Sequence, residues 1–223
     1  MHIYTKNNKD YPSVTTILKA LGNAGLLSWS NYLGFKHISY EKELDKYAKF
    51  GTLVHSHLEH IVNPDSKNEI IKPDNQLDEY VLDTILRRFT NYISLFDYKT
   101  IYSEYTLISE SLGYAGTLDW VLEINNKRIL CDFKTSKATR ISMMLQLGGY
   151  YNLLRDMGED VDYAAILIVN ENRCKFNFVD KVDLIEYAKY FDLIAKFYLE
   201  SEWHKEPKPK INTKVEKELM KKL

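Results

Sequence analysis

The sequence lacks any long hydrophobic run, has few cysteines, and shows no excess of charge of one sign. No apolar stretch of its 223 residues approaches the ~20 residues that a membrane-spanning helix needs. The first ten residues carry charges with no hydrophobic signal core behind them. The two cysteines, Cys131 and Cys174, are too few for a disulfide framework or a four-thiolate metal site. We therefore expect a protein of a reducing cytoplasm with no membrane partner.

The charge balance excludes a strong overall attraction to nucleic acid. Thirty Lys and Arg residues against 31 Asp and Glu residues give a net charge of −1, so a polyanion must be met by a local basic surface. With 45% hydrophobic and 27% charged residues, the composition is that of a globular protein and excludes a disordered or fibrous one. The length predicts one domain, made of a helical region (1–98), a core (99–204) and a lysine-rich tail (205–223).

Hydrophobic periodicity predicts a mixed architecture. Short helical pieces over 13–36 are expected to break at Gly22, Gly25 and Gly34. Apolar residues at helical spacing predict longer helices over 39–62, 74–96, 142–157 and 182–200. Runs of β-branched and aromatic residues predict strands over 101–109, 114–124, 127–134, 163–169 and 175–179. The fold class that follows is α/β, with a mixed central sheet flanked by helices and an N-terminal helical part.

Two carboxylates interrupt neighbouring apolar strands. Asn125 and Asn126 tolerate the left-handed conformation of a tight hairpin, and pairing about their centre places Asp119 opposite Asp132. Unpaired buried carboxylates are costly, so the two acids are expected to share one cation. A divalent metal bound by both acids and a backbone carbonyl would leave positions for a phosphate oxygen and a water.

Strand alternation places Lys134 on the same face as Asp132, with Phe133 turned the other way. The lysine would then lie beside the attacking water and stabilise charge on the phosphate. A buried Asp–Lys pair that only closes the sheet is an equally open interpretation of these residues, because a D-x-K pattern often arises by chance.

Two helices carry further candidates. His55 and Glu59 share one helical face, from which either could reach the metal or its water. Gln146 and Tyr150 are spaced i, i+4 and point together, which suits binding of water, base or phosphate. The alternatives are a surface histidine and a helix that packs through its leucines with its polar residues outward.

These segments, in this order, resemble the RecB-like exonuclease branch of the PD-(D/E)XK nuclease superfamily, which includes phage exonucleases. The segments that carry the resemblance are YPSVTTIL (11–18), GTLVH (51–55), GTLD (116–119), DFKTS (132–136) and QLGGYY (146–151). The resemblance spans roughly 11–151 and implies a restriction-endonuclease-like sheet. Some relatives in this branch carry an iron–sulfur cluster on four cysteines, which two cysteines exclude here.

The resemblance also implies roles for individual residues. Asp119 and Asp132, with the Phe133 carbonyl, would bind Mg²⁺ or Mn²⁺. His55 would contact the metal, and Lys134 would be the catalytic lysine. Gln146 and Tyr150 match the motif that distinguishes the branch, and Glu104 resembles an acidic residue of the first core strand, although an edge-strand surface Glu explains it equally well.

The expected activity is that of a metal-dependent deoxyribonuclease. An exonuclease on DNA ends or single strands is the leading expectation, with contacts to DNA from Tyr150, Lys137, Arg140, Thr135 and Ser136. A structure- or sequence-selective endonuclease, and a catalytically silent DNA-binding subunit, are the alternatives. A second copy of the chain, or a protein of replication, repair or recombination, is the expected protein partner.

Overall fold

A mixed α/β architecture is seen in the computed structural model, which describes residues 3–21 and 24–201, apart from the side chains of 24–29. In chain order the elements are β1 (Ile3–Lys6), β2 (Lys9–Pro12), α1 (Val14–Lys19), α2 (Ala24–Phe35), α3 (Tyr40–Val62), α4 (Gln76–Ile93), β3 (Tyr98–Ser109), β4 (Tyr114–Ile124), β5 (Lys127–Lys134), α5 (Ile141–Asp156), β6 (Tyr163–Val169), β7 (Cys174–Val179) and α6 (Lys181–Glu200). Gly22 and the lysine-rich tail predicted over 205–223 lie outside the described residues.

The central sheet has five strands in the order β3-β4-β5-β6-β7. Neighbouring strands are antiparallel except for β5 and β6, which are parallel and are connected through α5. A parallel connection needs such a crossover, because a tight turn joins only antiparallel strands. The predicted fold class, a mixed sheet flanked by helices with an N-terminal helical region, is confirmed.

The hairpin of β4 and β5 follows the predicted register. Asn125 and Asn126 have φ of 51° and 60°, the left-handed conformation that asparagine tolerates. Pairing then runs from Ile124 opposite Lys127 to Trp120 opposite Cys131, where the ladder ends. The next pair in this register would be the two acids, for which no backbone pairing is found.

The two faces of the sheet are covered by different helices. On one face, α5 and α6 pack on a core that includes Leu118, Leu130 and Phe191. On the other face, α3 and α4 pack on a core that includes Trp120 and Phe133. Helices α3 and α5 therefore approach the end of the β4–β5 ladder from opposite faces.

The N-terminal region differs from the prediction. Strands β1 and β2 form a hairpin that the sequence analysis does not predict, with Asn7 and Asn8 at φ 53° and 59° in its turn. Helix α2 runs through Gly25 and Gly34, where breaks are expected. A glycine lowers the stability of a helix interior by only about 1 kcal/mol relative to alanine, so it does not by itself end a helix. Elsewhere the predicted boundaries lie within three residues of those observed.

Within the part of the chain that the structure describes, no helix combines the length and apolar character needed to cross a bilayer.

Candidate metal centre

Asp119 lies where β4 leaves β5. Instead of continuing the ladder, its Oδ2 accepts a hydrogen bond of 2.7 Å from the backbone N–H of Phe133. The alternation of β4 also shifts here, because Leu118 and Trp120, two residues apart, belong to cores on opposite faces of the sheet. The carboxylate of Asp119 is therefore open to groups from both faces, although the residue is only 8% exposed.

Buried Asp132 and half-buried Lys134 form an ion pair on β5. The Lys134 ammonium contacts Asp132 Oδ2, as the predicted alternation requires. Asp132 Oδ1 accepts a hydrogen bond of 3.0 Å from Gln146 Nε2. Gln146 also donates to the hydroxyl of Tyr150 at 2.8 Å, and both residues are buried. The expectation that Gln146 and Tyr150 point together is confirmed, and the alternative of an outward polar face on α5 is wrong.

Helix α3 brings His55 to the site from the opposite face. Its Nδ1 lies 3.6 Å from Asp119 Oδ2, and its ring packs edge-on against Phe133 with the centroids 5.8 Å apart. Ser39 caps the start of this helix, and its buried leucines and valines face the core, which fixes the rotation that aims His55 inward.

Glu104 completes a cluster with His55 and Asp119. One ligand atom from each of the three lies within 4.8 Å of the others, the only such group of three or more metal-ligating side chains among the described residues. Glu104 lies on β3 between the pairs Ser103–Trp120 and Tyr105–Leu118, and it adopts φ of 46°. A left-handed non-glycine residue inside a strand is strained by about 1–3 kcal/mol, and such strain concentrates at functional sites.

The ionisable groups of the site shift one another's pKa values. Burial, and after it the carboxylate of Asp119, raises the pKa of Glu104 to about 8. Burial raises the pKa of Asp132 to about 6, although the Lys134 ammonium opposes that shift. Burial would also raise the pKa of Asp119, but His55 and Lys134 hold it below its usual value. The site thus concentrates negative charge that a cation would relieve.

The pKa values of His55 and Lys134 are raised although burial alone would lower them. Burial disfavours the protonated form of His55, but Asp119 raises the pKa of its imidazole above the usual value. Burial likewise disfavours the ammonium of Lys134, but Asp132 and Asp119 raise its pKa. Lys134 is therefore positively charged at neutral pH.

Glu59 lies apart from this cluster. Its Oε1 accepts hydrogen bonds from Ser66 and, at 2.6 Å, from Asn68 Nδ2, so the carboxylate fastens the loop that follows α3. The structure does not bring it together with His55, Glu104 and Asp119. Its negative charge still acts on Glu104, whose pKa it helps to raise.

The residues expected to contact DNA have different surroundings. Tyr150 is 5% exposed, and its hydroxyl accepts the hydrogen bond from Gln146. Lys137 and Arg140 are exposed after β5, and Ser136 Oγ donates to a backbone carbonyl of its own loop at 3.0 Å. Thr135 is half-buried at the start of that loop. Contacts of these residues with DNA, and ligation of a metal by the Phe133 carbonyl, stay predictions.

From the sequence, Glu104 is a weaker candidate than Asp119, yet in the structure the two carboxylates belong to the same cluster. A polar residue between Ser103 and Tyr105 on a predicted strand is a weak signal, because edge strands commonly carry exposed glutamates. The informative feature is its register opposite Asp119, which requires the pairing of β3 with β4.

Comparison with known proteins adds little to this geometry. No protein-family model matches the chain, and no curated protein is similar to it. Among solved structures, the crystal structure of SSO0001 is similar, with 14% identity and a TM-score of 0.43 over 87% of this chain and 79% of that one. A likeness at this level says nothing about function.

Proposed function

We propose that the protein is a metal-dependent deoxyribonuclease that hydrolyses phosphodiester bonds. The observation that carries the proposal is the grouping of His55, Glu104 and Asp119 within 4.8 Å of one another. The ion pair of half-buried Lys134 with buried Asp132 on the next strand adds a fixed ammonium to that group. Such a set can bind a divalent cation and a phosphate together. The resemblance to RecB-like nucleases supports the proposal, since it assigns roles to the same residues.

The donor set fits Mg²⁺ or Mn²⁺. Carboxylate oxygens are the ligands that both ions favour, and imidazole suits transition metals. Oδ2 of Asp132 is buried and pairs with the Lys134 ammonium, and among the described residues no other hydrogen-bond partner is found for it, so it can also take a cation as partner. The ligands that we propose are Asp119, Asp132, His55 and the Phe133 carbonyl, with Glu104 as a further ligand. When bound, the ion supplies charge that offsets the negative phosphate and makes a bound water more acidic.

Lys134 would act as a charged donor rather than as a base. Its ion pair with Asp132 keeps the ammonium in place, and its raised pKa keeps it protonated at neutral pH. A fixed ammonium can orient the attacking water and stabilise the oxygen that gains negative charge in the transition state. Removing one such donor typically lowers kcat by about 10²–10³-fold.

Gln146 would act as a positioning residue. Its amide holds Asp132 Oδ1 and is itself tied to the hydroxyl of Tyr150. Groups that hydrogen-bond to metal-ligating carboxylates fix the direction of their free oxygen, and mutating them typically costs 10–100-fold in metal affinity or activity. Asp132 would thus present Oδ2 to the ion with its orientation already set.

The resemblance favours an exonuclease, which acts on DNA ends or single strands. A digestion panel tests both the activity and its mode, with linear and circular DNA, single- and double-stranded, in Mg²⁺, Mn²⁺ or EDTA. The expected result is metal-dependent loss of linear DNA with circles left intact. Cleavage of circular single strands would replace the exonuclease with an endonuclease of the same chemistry.

Two variants link the panel to the site. We expect Lys134→Ala and Asp132→Asn to lose cleavage in both metals. Lys189→Ala is the matched control, because this lysine is exposed on α6 and takes part in none of the contacts of the candidate site. Full activity of the Lys134 variant, or no cleavage by the parent protein under any condition, would contradict the proposed function.

A further inference from the structure

A basic groove lies between α4 and the turn that connects β6 to β7. It has a volume of about 670 Å³, and, besides Tyr92, six of its residues present polar side chains of basic, amide or hydroxyl type. These residues are Thr84, Arg87, Arg88, Asn91, Asn172 and Arg173. The four from α4 are spaced i, i+3, i+4 and i+7, which places them on one face of the helix. Of the described residues, none that lines the groove is acidic.

The arginines of the groove keep their charge uncompensated. None of Arg87, Arg88 and Arg173 makes an ion pair within the described part of the chain, and all three are exposed. The nearby carboxylate of Glu171 accepts a hydrogen bond of 3.2 Å from Asn172. Burial raises the pKa of Cys174 to about 12, so this groove thiol stays neutral. A ligand for the groove must therefore supply negative charge.

Hydrogen bonds to backbone carbonyls orient the three guanidinium groups. Arg88 donates to the carbonyl of Glu171 at 3.0 Å, and Arg87 donates to the carbonyl of Asp83 at 3.3 Å. Arg173 donates to the carbonyl of Lys137. Each guanidinium has further N–H donors in a planar fork, a geometry that matches phosphate oxygens. An anchored arginine also loses less side-chain entropy on binding than a free one.

One edge of the groove, at Arg173, touches the loop that follows Lys134. Arg173 contacts the carbonyl of Lys137, three residues after Lys134, and Asn170 donates to the carbonyl of Ser136 at 3.1 Å. Three residues span at most about 11 Å, or about three nucleotide steps at 3.4 Å per step. A strand cleaved beside Lys134 would therefore reach the groove within a few nucleotides.

We propose that the groove lined by Arg87, Arg88 and Arg173 binds the phosphate backbone of a single DNA strand a few nucleotides from the cleaved bond. This inference rests on the proposed function for its ligand. It assigns to the arginines a role in substrate affinity and none in the chemistry. Phosphate contacts of this kind bind without sequence preference and weaken with salt.

The test measures binding separately from cleavage. Anisotropy of a labelled 20-nucleotide single strand is recorded in EDTA at several salt concentrations, for the parent and for Arg88→Gln/Arg173→Gln. Each lost phosphate contact reduces the salt slope on single strands by about 0.7, so we expect a reduction of about 1.4. We also expect the Kd at low salt to rise about tenfold or more, since hydrogen bonds to charged groups are strong.

A matched variant removes the same charge from the opposite side of the sheet. This variant, Lys189→Gln/Lys196→Gln, changes two exposed lysines of α6. The salt dependence of its DNA binding should have the same slope as that of the parent. An equal loss of slope in both double variants, or no loss in the arginine variant, would overturn the inference. If the arginine variant fails to fold by circular dichroism, Arg87→Gln replaces it, because Arg87 bonds only within its own helix among the described residues. This single change should lower the slope by about 0.7.

Inorganic phosphate separates a strand site from a site for a small anion. We expect phosphate to weaken DNA binding only as much as NaCl of equal ionic strength does. Specific displacement by phosphate from the parent, absent in the arginine variant, would assign the groove to a free phosphate and overturn the strand proposal. EDTA removes the divalent metal that cleavage needs, so these measurements report DNA binding alone. Their outcome is therefore independent of whether the digestion panel shows cleavage.

Discussion

Asp119 and Phe133 are joined at the end of the β4–β5 ladder by a hydrogen bond of 2.7 Å, from the backbone N–H of Phe133 to the carboxylate. In a regular ladder a backbone carbonyl would accept from that N–H. Here a side-chain oxygen accepts instead, where the β4–β5 pairing ends at Trp120 and Cys131. The same carboxylate then faces His55 and Glu104. One side chain thus both closes the ladder and builds the site.

The double role of Asp119 predicts different effects for two substitutions. Asp119→Asn keeps an oxygen for the Phe133 N–H but removes the charge, so we expect lost cleavage with a modest fall in melting temperature, because the attraction of the carboxylate to His55 and Lys134 is lost. Asp119→Leu leaves the N–H without an acceptor and should cost about 1–3 kcal/mol of stability. Thermal unfolding and digestion of both variants check this. Equal destabilisation by the two would show that the hydrogen bond contributes nothing.

The ion pair of Lys134 and Asp132 predicts a non-additive pair of substitutions. Lys134→Met leaves the carboxylate buried without its ammonium, which should destabilise the metal-free protein by about 3–5 kcal/mol. Adding Asp132→Leu removes the orphaned charge, and most of the lost stability should return. Denaturant unfolding of the parent, both single variants and the double variant gives the coupling. Additive effects in this cycle would contradict a direct interaction.

Gln146 should matter for metal activation more than for DNA affinity. Gln146→Leu removes the donor to Asp132 Oδ1, and we expect the Mn²⁺ concentration for half-maximal cleavage to rise about 10–100-fold. Tyr150→Phe, which removes only the hydroxyl that accepts from Gln146, should give a smaller rise. Metal titrations of cleavage, with DNA affinity measured in EDTA, separate the two quantities. A change in DNA affinity alone would exclude the positioning role.

The raised pKa of Glu104 predicts a falling stability with pH. The pKa rises from 4.5 to about 8 on folding, so the folded state binds more protons than the unfolded state between these values. The metal-free protein should therefore lose stability as pH increases towards 8. Asp132, with a pKa of about 6, adds a loss of the same sign at lower pH.

Melting temperatures between pH 6 and 8.5 check this dependence. Glu104→Gln should flatten the decline, although His55, whose pKa is also raised, retains part of it. Saturating Mg²⁺ or Mn²⁺ should reduce the decline in the parent, because a bound cation favours the ionised carboxylate. An identical slope in the parent and the Glu104 variant would mean that this carboxyl is not buried as described.

Close packing of α5 against α6 depends on Gly148. A Cβ added there would lie 2.5 Å from the backbone carbon of Tyr187, and backbone cannot move aside as a flexible side chain does. We expect Gly148→Ala to cost about 1–3 kcal/mol or more. Gly34→Ala is the control, since nothing lies within 4 Å of its added Cβ and alanine favours a helix. The free energies of unfolding of Gly148→Ala and Gly34→Ala test this expectation. Equal values for the two variants would contradict close packing at Gly148.

Local sequence patterns were sufficient for most secondary structure and for the register of one hairpin. Asparagine at 125 and 126 supplies the left-handed turn, and the period-2 pattern on either side sets the pairing of β4 with β5. The same alternation explains why Lys134 and Asp132 meet. These relationships join residues that are close in the chain, and few conformations compete with them. The turn at Asn7 and Asn8 carries the same signal, and the first hairpin could have been predicted from it.

Only the tertiary structure decided how the site is completed. Glu104 joins it through the pairing of β3 with β4, His55 through the packing of α3 on one face, and Gln146 through α5 on the other. The basic groove likewise depends on α4 lying beside a turn more than 80 residues away. Propensity and periodicity describe what each segment does alone. Contacts between distant segments are set by how all the apolar faces are buried together, which no single segment encodes.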